Sequence, residues 1–269
     1  MIEIKEMKTL EDFFRCVEIQ KEVWGFDDPF DAVPQPLLVV SDRIDGIILG
    51  AYDTGKMIGF VYSLPGFHSG KKVQWSHMLA VLEKYRDSDT GYRLKMEQYR
   101  MAQEKGYDFL EWTYDPLESR NAHFNINKLG CIVKEYEINI YGETSSPLHA
   151  GMPTDRFVPH WPIPPLKKEL PKWEGVPDTS LQITSSHAEG SFRIVDSVNL
   201  NKEADFLFVE IPVNMQQLKV QLPEQGLQWR LKTRDVFVSY FERGYIVYSF
   251  QHWKQEGRSF YVLKKISSR

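Results

Sequence analysis

Two hydrophobic periods divide the first half of the chain into short elements. Residues 2–6 alternate between apolar and polar side chains as a strand does, and the apolar segments 46–52 and 57–64 are also predicted to be strands. Apolar residues spaced three and four apart predict helices over residues 10–24 and 36–43. The glycine between the second and third strands favours a tight hairpin there.

A strand predicted over residues 72–81 has two distinct faces. One face carries Val73, Trp75, His77, Leu79 and Val81, and the other carries Gln74, Ser76, Met78 and Ala80. A helix over residues 90–105 and a strand over residues 107–114 follow, which predicts a parallel pair with a right-handed crossover. A helix over residues 117–129 and a strand over residues 132–141 complete this part.

Proline separates the chain into two parts. Seven prolines lie between Gly151 and Ser180, and each removes an amide donor and disfavours helix in the residue before it. We therefore predict a first domain over residues 1–150, an extended connector over residues 151–180 and a smaller α+β subdomain over residues 181–269.

The C-terminal subdomain is predicted to alternate strands with two helices. The strands cover residues 181–184, 192–195, 206–211, 245–251 and 260–265, and the helices cover residues 215–222 and 227–243. Trp229, Val236, Phe237, Tyr240 and Phe241 form an apolar stripe on the second helix, which core packing explains without a ligand. The element order resembles half of the first domain, so a truncated pseudo-repeat is one interpretation.

Composition and charge exclude several classes of protein. The 269 residues hold 33 Lys and Arg against 37 Asp and Glu, a net charge of −4, which argues against nucleic acid as the main partner. No apolar run approaches the roughly 20 residues that cross a bilayer. Cys16 and Cys131 are too few for a disulfide framework, and no metal-ligand spacing is evident. We expect a cytoplasmic protein with no membrane partner.

Two segments of the first domain carry a family pattern. Residues 77–86 are HMLAVLEKYR, followed by Gly91 and a helix, and residues 121–130 are NAHFNINKLG. The first segment resembles the acetyl-CoA binding segment of the GNAT acetyltransferase superfamily, and the second resembles the next helix of that superfamily. The signature WTYDPL at residues 112–117 looks like a bacterial branch of predicted acetyltransferases. The resemblance covers roughly residues 1–145 and implies a mixed α/β sheet flanked by helices.

The resemblance also implies a cofactor site. Its residues are Leu79, Val81, Arg86, Thr90, Gly91, Tyr92, Asn121 and Asn125. A loop that enters a helix N-terminus presents backbone amides to a pyrophosphate, and Arg86 adds a positive charge. The alternative is that Asp87, Ser88, Asp89 and Thr90 merely cap an ordinary helix and that Arg86 is a solvated surface charge.

Acetyl transfer needs a base, an acid and oxyanion donors. The resemblance implies an oxyanion contact from a backbone amide near Leu79 or Ala80. His77 is the candidate base and Tyr114 the candidate acid, each with core packing as the alternative. Asp115 is expected to start a turn, and Asp155 with Arg156 to form a local ion pair.

Two positions depart from the family pattern. Asp89 stands where the common loop has glycine, and Ile126 stands where a tyrosine often protonates the thiolate. The predicted function is an acetyl-CoA-dependent N-acyltransferase for a small amine-bearing acceptor, with a homodimer left open. The alternative is a non-catalytic acyl-CoA binding or scaffold protein.

Overall fold

The chain is divided into two compact units in a computed structural model. The structure describes residues 2–25, 31–86, 88–142, 151–164, 178–254 and 256–266. Unit 1 holds the described residues up to Trp112 and residues 161–164, and unit 2 holds the others. The division after Trp112 differs from the predicted boundary within residues 151–180.

Unit 1 is a mixed sheet with helices on both faces. Its strands are β1 (Glu3–Glu6), β2 (Ile47–Asp53), β3 (Lys56–His68), β4 (Lys71–Val81) and β5 (Phe109–Glu111), and its helices are α1 (Leu10–Trp24), α2 (Gln35–Arg43) and α3 (Thr90–Glu104). The strands lie in the order β1-β2-β3-β4-β5, antiparallel except for the parallel pair β4 and β5. The predicted mixed α/β class and the parallel crossover are confirmed.

Local sequence signals explain the first helix of unit 1. Thr9 accepts from the Asp12 amide at 3.1 Å while the Asp12 carboxylate accepts from the Thr9 amide at 3.2 Å, which forms a capping box. Gly25 ends the helix with a φ of 61°. Phe13 and Ile19 on its buried face pack with Phe60 and Ala80 of the sheet.

Helix α3 covers the opposite face of this sheet. A Cβ placed on Gly91 would lie 3.9 Å from the side chains of Leu79 and Val81 in β4. Ser76 Oγ lies 2.9 Å from Lys95 Nζ of α3. Ser76 therefore shares a face with Leu79 and Val81, which corrects the predicted alternation along β4.

A β-bulge explains that correction. Met78 lies opposite Tyr62 and Ser76 lies opposite Ser63, so His77 has no residue opposite it on β3. One extra residue shifts the side-chain alternation by one position. Hydrophobic periodicity alone does not reveal such an insertion.

Unit 2 has an antiparallel sheet and a separate hairpin. Its strands are β6 (Ile132–Glu137), β7 (Arg156–Pro162), β10 (Phe206–Ile211), β11 (Tyr245–Trp253) and β12 (Arg258–Lys265). They lie in the order β7-β6-β11-β12-β10. The last two residues of β7 belong to unit 1. Strands β8 (Thr184–Glu189) and β9 (Phe192–Val198) form the hairpin. Helices α4 (Ser119–Ala122), α5 (Met215–Gln221) and α6 (Pro223–Glu242) complete the unit.

Several predicted bounds are corrected by the structure. The strand predicted over residues 107–114 is regular only from Phe109 to Glu111, because only these residues pair with β4. The strand over residues 132–141 ends at Glu137, and Asn139 beyond it has a left-handed φ of 49°. The predicted connector contains β7, which pairs with β6 instead of merely linking domains.

In place of the single helix predicted over residues 117–129, the chain forms a short α-helix followed by a π-helical turn. After α4 the chain forms a π-helical turn over His123–Lys128, in which the Leu129 amide donates to the Phe124 carbonyl five residues earlier. Gly130 then turns the chain with a φ of 80°. Cys131 follows this turn and is buried outside the helix.

The predicted pseudo-repeat is only partly present: unit 2 has a parallel strand pair joined by helices, as unit 1 has, but with a different strand order. Strands β10 and β11 both run antiparallel to β12, so they are parallel to each other and are joined through α5 and α6. In unit 1 the parallel strands β4 and β5 are direct neighbours, whereas β12 separates β10 from β11. Among the described residues no helix has the length and apolar character needed to span a membrane.

Candidate functional site

Strand β4 has an open edge in its second half. Within β4, strand β5 pairs with Val73, Gln74 and Trp75 and with no later residue. In the described part of unit 1, residues 76–81 have β3 on one side and no strand on the other. Backbone groups along that edge can therefore bond to a ligand in place of a strand.

The bulge residue lies beside this open segment. His77 is exposed, and its ring meets the Tyr62 ring edge to face at 6.0 Å between centroids. The expected alternative of a buried core histidine is therefore wrong. The protein around the rest of the ring desolvates it and lowers its pKa from the ordinary 6.5. A neutral imidazole at pH 7 is able to accept a proton.

The loop after β4 is held by its own side chains. Arg86 Nε donates to the carbonyl of Val81 at 3.2 Å, which holds this exposed side chain at the end of β4. Ser88 Oγ donates to the Tyr85 carbonyl at 2.6 Å and lies 2.7 Å from the Thr90 hydroxyl. These bonds close the turn before α3 but do not cap it, since the helix has no side-chain capping hydrogen bond. Asp87 lies outside the described residues.

Asp89 does not cap the helix that it precedes. It has a left-handed φ of 54° and makes no side-chain capping hydrogen bond. Gly91 and Tyr92 follow in the first turn of α3, where backbone amides lack partners within the helix. The helix start therefore combines open amides with a nearby carboxylate.

A His–Glu pair lies at another edge of unit 1. His68 Nδ1 is 2.8 Å from Glu111 Oε2, with the Glu111 side chain only 2% exposed and that of His68 45% exposed. Glu111 ends β5 opposite Trp75 of β4. Sequence reasoning missed this pair because 43 residues separate its members, although a carboxylate at the end of a buried strand was a usable signal.

A buried lysine was also missed. Lys95 Nζ lies 2.9 Å from Ser76 Oγ, 2.9 Å from Gln98 Oε1 and 3.6 Å from the centre of the Trp112 ring. The lysine is 2% exposed. Its position on the buried face of α3, four residues after Gly91, was the available signal.

The remaining predicted site residues, Tyr114, Asn121 and Asn125, lie in unit 2. Tyr114 is buried among aromatic rings, with its hydroxyl 3.4 Å from that of Tyr261. Burial raises its pKa above 10. Asn121 is exposed, Asn125 is buried, and Ile126 belongs to the core. The structure thus groups Leu79, Val81, Arg86, Thr90, Gly91 and Tyr92 with His77 in unit 1.

Charged residues of unit 2 are paired differently from the prediction. Asp115 accepts from the Leu117 amide at 2.9 Å, as its expected turn role requires. The ion pair expected between Asp155 and Arg156 is wrong: Asp155 receives two hydrogen bonds from Arg234, at 2.8 and 2.9 Å. Arg156 donates instead to the Asp155 backbone carbonyl. Helix α6 thus places Arg234 against Asp155, although 79 positions separate the two residues in the sequence.

Candidate metal ligands are not grouped in the part of the chain that the structure describes. No set of three or more His, Cys, Asp or Glu residues there is placed to hold an ion.

Similarity to known proteins is limited to solved structures. No family model matches the chain, and no curated protein sequence matches it. A GNAT-family acetyltransferase structure from Desulfovibrio desulfuricans is 13% identical, with a TM-score of 0.49 over 61% of this chain and 99% of the other. One from Streptococcus pneumoniae is 17% identical, with a TM-score of 0.48 over 60% and 98%.

A third similar structure is the ribosomal-protein-S18-alanine N-acetyltransferase from Escherichia coli. It is 15% identical, with a TM-score of 0.48 over 64% of this chain and 100% of the other. At these identities the likeness concerns the fold alone.

Proposed function

We propose that unit 1 binds acetyl-CoA and transfers its acetyl group to a small amine-bearing acceptor. The observation that carries this proposal is the open edge of β4 over residues 76–81, which leads directly into the loop before α3. The proposal assigns the pantetheine arm to this edge and the pyrophosphate to the first turn of α3. Arg86 supplies positive charge at the junction.

Side chains facing α3 make the edge suitable for an extended ligand. Leu79 and Val81 lie near Gly91, whose own lack of a Cβ leaves the first turn of the helix open. In this proposal the amide of Leu79 or Ala80 stabilises the oxyanion that forms when the amine attacks the thioester. The bulge at His77 interrupts regular pairing immediately before those amides.

His77 is the proposed base. Its lowered pKa leaves the imidazole neutral at pH 7 and able to take a proton from the attacking ammonium or amine. Tyr114 remains the predicted acid for the departing thiolate, and its raised pKa keeps the phenol protonated. Asn121 and Asn125 remain predicted pantetheine contacts.

One observation favours a second candidate function, binding without catalysis. Ile126, which stands at the usual acid position, is 2% exposed in the core of unit 2 and has no proton to give. If no other group supplies the acid, the chain binds acyl-CoA without turning it over. Both candidates require CoA to bind, and they differ only in turnover.

Substitution at Gly91 tests the shared cofactor site. We expect CoA to bind the wild-type chain and Gly91→Glu to weaken that binding about 10- to 1000-fold, because a unit charge roughly 4 Å away costs about 1 to 4 kcal/mol. Gly91→Ala is the matched control, because its Cβ would meet only ordinary contacts at 3.9 Å. Isothermal calorimetry measures all three. Absence of heat with wild type at millimolar CoA, or equal affinity for Gly91→Glu, would contradict the assignment.

A further inference from the structure

An indole and an imidazole lie side by side on the sheet face of unit 1 that carries α1 and α2. Ser76 of β4 faces α3, so its strand neighbours Trp75 and His77 face the opposite side. The His77 ring meets the ring of Tyr62, and the Tyr62 hydroxyl lies 2.7 Å from Ser41 Oγ of α2. These contacts place His77 on the face of α1 and α2.

Glu111 adds a carboxylate to the same face. It lies opposite Trp75 in the parallel pair of β5 with β4, and residues opposite each other in a sheet point to the same side. Its Oε2 lies 2.8 Å from Nδ1 of His68, so a buried carboxylate meets an imidazole that is 45% exposed. His77, Trp75 and Glu111 with His68 therefore form a row across β4 and β5.

The length of this row is that of a small molecule. Neighbouring strands lie about 4.8 Å apart and two residues span roughly 6.6 Å along a strand, so about 8 Å separates Cα of His77 from Cα of Glu111. Trp75 lies between them and is half-buried. Its ring offers a surface for an aliphatic chain that joins two polar ends.

The pair of His68 and Glu111 is suited to a cation. A carboxylate with a neutral imidazole has a charge of −1, and a neutral imidazole that donates from Nδ1 accepts a hydrogen bond at its other nitrogen. Lys71, which lies opposite His68 in the hairpin of β3 and β4, is exposed and forms no ion pair with Glu111. An ammonium group beside the exposed imidazole would therefore meet negative charge.

We propose that this row binds a short aliphatic diamine, with one nitrogen at His77 and the other at the pair of His68 and Glu111. The inference rests on the proposed function, because the nitrogen at His77 is the one that would be acetylated. Glu111 then determines specificity. It selects acceptors that carry a second cationic group, whereas a monoamine meets only His77 and Trp75.

Amine binding by the full chain tests the row without turnover. The ligands are 1,4-diaminobutane, butylamine and 4-amino-1-butanol, which replaces the second ammonium with a neutral hydroxyl. By calorimetry we expect 1,4-diaminobutane to bind about three- to tenfold more tightly than the other two, as one added ion pair allows. No heat with 1,4-diaminobutane, or equal affinity for 4-amino-1-butanol, would overturn the proposal. This comparison needs no variant.

A substitution at Glu111 identifies the residue responsible. Glu111→Gln removes the charge but keeps an oxygen for His68, so 1,4-diaminobutane should bind about three- to tenfold more weakly while butylamine binds as before. Glu104→Gln removes an exposed charge at the end of α3 and should change neither affinity. Undiminished diamine binding in a folded Glu111→Gln variant would refute the site.

Turnover separates a failure of this inference from a failure of the proposed function. With acetyl-CoA as donor, kcat/KM should be higher for 1,4-diaminobutane than for butylamine, and Glu111→Gln should remove the difference mainly through KM. Equal kcat/KM for the two amines would overturn the diamine preference and leave the acetyltransferase function standing. Binding of 1,4-diaminobutane that depends on Glu111, with neither amine acetylated, would uphold the diamine site and count against the acetyltransferase function.

Discussion

At the scale of single residues, Asp89 is the clearest departure from a good phosphate loop. It combines a left-handed φ of 54° with a carboxylate at the start of α3. Left-handed backbone is disfavoured for residues other than glycine, and a carboxylate repels pyrophosphate. Both properties should make CoA bind more weakly to the proposed loop than it would with glycine at this position.

Asp89→Gly should therefore tighten CoA binding. We expect an affinity gain of about tenfold, since removing one nearby charge changes binding by roughly 1 kcal/mol or more. Asp89→Asn is the control, because it removes the charge but keeps a side chain that tolerates left-handed φ. Calorimetry should show a similar gain for both variants. Unchanged affinity in both would place the pyrophosphate away from this turn.

Tyr114 has two candidate roles, packing in the core and donation of a proton to the departing thiolate. Its ring contacts the Phe157 ring at 5.7 Å, and its hydroxyl lies 3.4 Å from that of Tyr261. Packing needs only the ring, whereas donation needs the hydroxyl proton. Removing that hydroxyl while keeping the ring separates the two roles.

Tyr114→Phe should lower turnover about 10- to 1000-fold if the phenol is the acid, with acetyl-CoA affinity little changed. Tyr261→Phe is the matched control, since it removes the neighbouring hydroxyl from the same aromatic cluster. Turnover and calorimetric Kd are measured for both variants. Full turnover in Tyr114→Phe would assign the residue to packing and the acid role to another group or to solvent.

At the scale of elements, the bulge in β4 determines where the candidate base His77 lies. It places His77 outside the regular ladder, beside the edge that β5 leaves open. In a regular strand His77 would share the face of Leu79, which is covered by α3. The extra residue instead leaves the imidazole exposed and available to an acceptor.

His77→Gln should lower turnover about 100- to 10,000-fold, as expected for loss of a general base. For the wild type, kcat/KM should fall as pH decreases through the His77 pKa, which lies below 6.5, because the protonated ring cannot accept a proton. This acidic limb should disappear in the variant. Tyr62→Phe keeps the ring beside His77 and should retain the limb. A limb that persists in His77→Gln would favour another base, and His68 with Glu111 is the first to examine.

Element types could be predicted from the sequence wherever the determinants are local. Helix α1 has both its capping box and its terminal glycine within the predicted segment. The bulge at His77 and the π-helical turn after α4 each insert one residue into a regular period, and tertiary packing decides such insertions. Long-range pairs such as His68 with Glu111 and Arg230 with Asp115 were invisible for the same reason.

At the scale of the whole molecule, the loop could be predicted because its residues are consecutive, whereas the pair of Arg230 and Asp115 joins residues 115 positions apart. The predicted linker illustrates the limit. Proline density marked residues 151–180 as extended, and β7 is extended, but pairing with β6 makes it part of a sheet. Extension alone does not distinguish a connector from an edge of a domain.

The choice between an enzyme and a binding protein rests on turnover. We expect the full chain to acetylate at least one compound in a screen of polyamines, amino acids and aminosugars, with release of one free CoA thiol for each acetyl group transferred. A thiol reagent follows CoA, and mass spectrometry confirms an increase of one acetyl group on the acceptor. Gly91→Glu is the control that should abolish both signals at limiting acetyl-CoA. Thiol release without an acetylated product indicates hydrolysis. If calorimetry shows that CoA binds but no acceptor in the screen is modified, the non-catalytic function supported by Ile126 replaces the enzymatic one.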